Sequence, residues 1–84
     1  MAPSKDLGHG LLAVVHPNEG LGKAMEPPHV HVYDADGEVK VALRTLEVLA
    51  SQGMKASQIK RAIALVETHR KFLMELWYAS RPTG

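Results

Sequence analysis

The sequence contains no cysteine in its 84 residues. Disulfides, thiolate nucleophiles and cysteine-bound zinc are therefore excluded, and a divalent metal such as zinc would have to be held by histidine and carboxylate. Long hydrophobic runs are missing too. The longest uncharged stretch near the start, residues 7–18, is interrupted by Gly8, His9, Gly10, His16 and Pro17. That is too short and too broken to cross a bilayer. No secretory leader pattern is visible, because Asp6 follows Lys5 and no apolar stretch comes after them. These absences point away from membranes and toward a cytoplasmic protein. Charge of one sign is also lacking: the net charge is +1, which gives no reason to expect nucleic acid. Residues 1–42 hold three Lys/Arg and six Asp/Glu, a net of −3, while residues 43–84 hold seven and three, a net of +4. Such halves suit head-to-tail homo-oligomerisation or a charged partner, or else two solvated faces. No repeat or low-complexity tract is present.

What is there reads as one domain, residues 1–84, with residues 1–7 and 81–84 expected to be flexible. Hydrophobic residues make up 45% and charged residues 23%, which is enough apolar material for a packed core. Residues 11–16 (LLAVVH) read as a short buried strand. Pro17, Asn18, Gly20 and Gly22 mark a loop. Pro27 and Pro28 hold the chain extended into His29-Val30-His31-Val32-Tyr33, which alternates with period two. Asp34-Ala35-Asp36-Gly37 reads as a hairpin turn, with Gly37 supplying positive φ. Glu38 to Ala42 alternates again. The implied register sets Tyr33 against Glu38, Val32 against Val39, His31 against Lys40 and Val30 against Val41. One face is then all valine, and the other carries His29, His31, Tyr33, Glu38 and Lys40.

Residues 43–52 read as a short helix stopped by Gly53. Ser57 reads as the N-cap of a long helix ending near Ala79. The apolar positions of that helix spread over a wide arc, which implies contact with both the hairpin and the short helix. Its polar intruders are His69 and Arg70. A buried Arg70 predicts a carboxylate neighbour or a bound anion, or a packed stem with its head in water. The expected fold is α+β: an antiparallel sheet of two to three strands around a hairpin at about 29–42, then helices at about 43–52 and 57–79.

The string Glu26-Pro27-Pro28-His29-Val30-His31-Val32 resembles the signature of the bacterial family of domain of unknown function 4160. Residues 45–49 (TLEVL) resemble that family's next element. Residues 65–73 (LVETHRKFL), with Trp77, resemble its last helix. The likeness spans roughly residues 8–80. It departs at the start, where the loop from Pro17 to Met25 is longer and the first strand carries Leu, Ala and Val in place of aromatics. The resemblance implies no settled activity. It implies a small bacterial protein whose gene often lies beside that of a second small protein, an arrangement that has prompted a toxin–antitoxin reading by association.

His29-x-His31 is the sharpest chemical feature, because residues two apart on a strand point to one face. Two imidazoles so placed suit a shared metal, with Glu26, Glu38 or His69 as a third ligand. They equally suit a polar outer face packing on Tyr33 or Lys40. A third reading is metal-free acid–base work, with His29, His31, Lys40 and Tyr33 acting on RNA. His69 joins the site only if the long helix covers the histidine face; the valine face is the more natural contact. Glu26, Tyr33 and Arg70 complete the candidate binding residues. Lys60, Arg61 and Lys71 are offset by Glu67 and Glu75, so they read as a solvated face. A free sheet edge can accept a strand from another chain. The leading functional expectation is an interaction component that binds a protein encoded by the neighbouring gene. The alternatives are a metal-binding protein or hydrolase, and a metal-free ribonuclease-like toxin.

Overall fold

A computed structural model of the chain describes residues 3–16 and 27–79. The fold is α+β. Five strands come first: β1 (Ser4–Gly8), β2 (Leu11–Val14), β3 (His29–Tyr33), β4 (Glu38–Ala42) and β5 (Val48–Gln52). Two helices follow, α1 (Ala56–Thr68) and α2 (Arg70–Ala79). The sheet is an antiparallel meander in the order β1-β2-β3-β4-β5.

The central hairpin has the register that its alternation implies: Tyr33 against Glu38, Val32 against Val39, His31 against Lys40 and Val30 against Val41. The four valines are fully buried. They share one core with Leu11, Ala13 and Val15 from the β2 side and with Ala62, Val66, Leu73 and Trp77 from the helices. The helices therefore lie on the valine face. Each such aliphatic side chain contributes roughly 1.5–3 kcal/mol relative to an exposed one. Strand alternation leaves His31 and Lys40 on the opposite face.

The sheet has five strands, not two to three. Ser4–Gly8, half of it in a segment expected to be flexible, forms β1. Leu7 enters the core, and the Lys5 ammonium lies 5.3 Å from the Phe72 ring centre. The connection to β2 runs through Gly8, His9 and Gly10, all at positive φ. The helix expected at 43–52 is absent. Residues 43–45 make a turn, Leu46 takes the left-handed conformation at φ 64°, and Ala42 N donates to Glu47 O at 2.9 Å. The chain then returns along β4 as β5. The helical spacing of Leu43, Leu46 and Leu49 lost to a ladder of backbone hydrogen bonds on the hairpin edge, a long-range gain that local periodicity does not reveal.

Two glycines make that return possible. Gly53 adopts φ +83°, and a Cβ there would strike Asp36 O. Gly37 is not at positive φ as the turn reading expects. Its need is space, because a Cβ would strike Gln52 O. The hairpin turn is instead closed by Asp34, whose Oδ1 accepts from the Asp36 and Gly37 amides at 2.8 and 3.0 Å.

The long helix is also divided. His69, at φ −104° and ψ 16°, separates α1 from α2. Thr68 Oγ1 donates back to Ala64 O at 3.0 Å just before the break, a bond that bends helices. The bend lets one broad apolar arc follow the twisted sheet. Helix α1 starts one turn position earlier than Ser57 implies: Lys55 is the N-cap, and its amide donates to Gln58 Oε1 at 2.6 Å. The Gln58 amide group also donates to Asp34 Oδ2 at 3.1 Å and Asp36 Oδ2 at 2.7 Å. One side chain thus ties the helix start to the hairpin turn.

Candidate functional site

The open face of the sheet collects the polar groups. Two cross-strand rows run over it. One row is Val14, His31, Lys40 and Ala50; the other is Leu12, Tyr33, Glu38 and Gln52. Register alone places these side chains side by side, because directly opposed residues on one face touch.

His31 is the centre. Its side chain is 12% exposed, and its Nδ1 lies 3.3 Å from Glu38 Oε2. A carboxylate only accepts, so Nδ1 carries the proton and Nε2 is the basic nitrogen of the neutral ring. Tyr33 stacks beside it, with ring centres 6.3 Å apart and planes 14° from parallel. His16 meets it edge-on at 4.4 Å between ring centres. His16 Nε2 also lies 3.1 Å from Tyr33 Oη. The phenol donates when that nitrogen is unprotonated, and the imidazole donates when it is protonated.

His29 behaves differently from its strand neighbour. It is 1% exposed, its Nδ1 donates to Pro27 O at 2.9 Å, and its ring centre lies 4.9 Å from that of Trp77. It remains 5.5 Å from His31 ring to ring. So it backs the site from within, packed under the last turn of α2. Among the described residues, no three His, Asp or Glu side chains are grouped so as to hold a metal ion. His69 sits between α1 and α2, on the side of the sheet away from His31. Glu38 is at the site, engaged with His31 as a hydrogen-bond acceptor. Glu26 and the loop from Pro17 to Met25 lie outside the described residues.

Arg70 finds neither a carboxylate nor an anion. It donates to Arg44 O at 2.8 Å and so caps a carbonyl of the β4–β5 turn. Arg44 in turn donates to Tyr78 Oη at 2.9 Å.

His16 is the residue that the sequence reading missed. Its signal was available in parity. Ala13 and Val15 are buried, so His16 shares the alternate face with Leu12 and Val14, and β2 lies beside β3. Without the β2–β3 pairing, nothing linked it to His31.

Between β4 and β5 the same face has a hollow of about 210 Å³ lined by His31, Glu38, Lys40, Ala50, Ser51 and Gln52. It exists because Ala50 is the small member of its row. Strand β5 beyond it is exposed at every residue, with Val48 at 40% and Leu49 at 38%.

The class these features define is a small antiparallel meander, helices on one face and a histidine–tyrosine–carboxylate cluster on the other. The model of the family described as Domain of unknown function (DUF4160) matches residues 21–78, and the chain belongs to that family. No curated protein and no solved structure matches the chain. No helix among the described residues is long and apolar enough to cross a membrane.

Proposed function

We propose that this chain is the interaction component of a small two-gene, toxin–antitoxin-like bacterial module, acting in the cytoplasm, and that it binds its partner by strand addition at β5. The observation that carries the reading is the contrast between the sheet's two edges. Edge β1 bears Lys5 and Asp6, is irregular between Asp6 and Gly8, and is held by Phe72. Edges protected in this way resist pairing with another chain. Edge β5, VLASQ, carries no charge and is exposed throughout. A bulge at Leu49 leaves Ala50 to Gln52 as its regular stretch. An open, uncharged edge is the surface on which an extended segment gains main-chain hydrogen bonds.

The test is co-expression with the product of the adjacent gene, followed by affinity purification. The wild-type chain is expected to retain its partner. The double variant Leu49→Lys/Ser51→Lys, which charges the edge at two exposed positions, is expected to lose it. Equal retention by both would end the proposal.

A second reading has its own observation. His31 oriented by Glu38, with His16 and Tyr33 in hydrogen-bond contact beside it and Lys40 opposite, is an arrangement suited to metal-free proton transfer. As a ribonuclease, the chain would cleave short single-stranded RNA in the presence of EDTA and leave cyclic phosphate ends. His31→Gln would then abolish cleavage. Intact RNA with wild-type protein would eliminate this reading.

A further inference from the structure

We propose that the hollow beside β5 is the specificity pocket of the docking edge, and that it selects a partner strand carrying the pattern Lys-x-Glu. This rests on the reading of β5 as the partner edge and names the partner's chemistry.

The argument begins with the rows. A strand added antiparallel to β5 extends both of them by one residue. One new side chain lies opposite Ala50, in the row of His31 and Lys40; another lies opposite Gln52, in the row of Tyr33 and Glu38. Two strand spacings, roughly 10 Å, separate the β4 backbone from the added strand. A lysine and a glutamate can meet across that gap when the residue between them is small. Ala50 is such a residue, and the hollow above it is lined by Lys40 and His31. A carboxylate opposite Ala50 therefore reaches the Lys40 ammonium over the Ala50 methyl, with the His31 imidazole beside it. Opposite-charge pairs on neighbouring positions of one sheet face stabilise, and like charges destabilise.

The second row asks for the other sign. Glu38 is 40% exposed and its carboxylate faces the same hollow. A cation opposite Gln52 lies across from Glu38, and an anion there would be repelled by it. An antiparallel strand meets Gln52 before Ala50, so the order is cation, any residue, carboxylate. A second copy of β5 is a poor occupant, because VLASQ contributes no charge to either row. Strand addition draws affinity from the main chain and specificity from pockets for alternate side chains. The hollow, with His31, Lys40 and Glu38 on one floor, is placed to act as that pocket.

The test uses the full chain, isotopically labelled, and two nine-residue threonine/valine peptides. One carries Lys-Val-Glu at its centre and the other Glu-Val-Lys, so composition and net charge are the same. Amide chemical shifts are followed to millimolar peptide. Both peptides are expected to shift the β5 amides, with Lys-Val-Glu binding about fivefold more tightly. Lys40→Gln is expected to remove most of that preference while leaving the shared binding. Equal affinity of the two peptides overturns this inference and leaves the edge reading standing. No shift at β5 from either peptide, or unchanged binding by Leu49→Lys/Ser51→Lys, overturns the edge reading itself. Concentration-dependent shifts at β5 without peptide would show that a second copy occupies the edge, and would overturn both.

Discussion

The two faces of this sheet are made by the same strands and have opposite fates. On one, Val30, Val32, Val39 and Val41 are sealed beneath Ala62, Val66 and Leu73. On the other, His31, Tyr33, Glu38 and Lys40 touch one another and lie under no helix core residue. The covered face gains its stability from burial, and a change there is paid in unfolding free energy. The open face makes hydrogen bonds and ring contacts that water partly replaces, so its residues are free to be chosen for recognition. His29 marks the border. It belongs to the strand of His31 but is enclosed by Trp77.

That contrast can be broken at its strong end first. Leu73→Ala should cost about 2–5 kcal/mol, because the side chain is fully buried and its loss leaves a cavity. Urea denaturation measures this, and a cost under about 1 kcal/mol would show that α2 is not part of the core. Next comes Gly37→Ala, expected to cost on the order of 2 kcal/mol by forcing the hairpin turn away from Gln52 O. Thermal melting should show a clear drop, and an unchanged midpoint would argue that the turn and the end of β5 do not meet. Gln58→Ala removes a cap and two bonds to the hairpin turn, for a loss of about 1 kcal/mol. Amide exchange in the first turn of α1 should speed up accordingly. The smallest effect belongs to the open face. Lys40→Gln should change stability by no more than about 0.5 kcal/mol. A large loss there would mean that the histidine face holds the fold together, and the comparison would fail.

Much of this was legible in the sequence, for identifiable reasons. Period-two alternation in residues 29–33 and 38–42, with a turn between them, set the hairpin, its register and the two unlike faces. The string EPPHVHV carried the family. The apolar spacing in residues 56–79 carried helix. The illegible parts share a cause. Strand β5 and the β1 edge depend on pairing between distant segments, and TLEVL taken alone is as compatible with a helix as with a strand. Arg70 was recognisable as a buried-side cation, yet its acceptor is a backbone carbonyl of a turn that itself was read as helix. His16 was invisible as a site residue until β2 was laid beside β3.

By itself, then, the sequence determined the local alternation, the two-faced hairpin, the helical C-terminal part and the histidine pair's placement on one strand. Those are nearest-neighbour consequences of side-chain order. Only the tertiary structure decided that the helices cover the valines, that His29 is enclosed while His31 faces the open side, that His16 joins His31, and that β5 is left as an uncharged edge. Each of these depends on which surfaces meet across the chain. That choice is set by total apolar burial and backbone hydrogen bonding, which no single segment encodes.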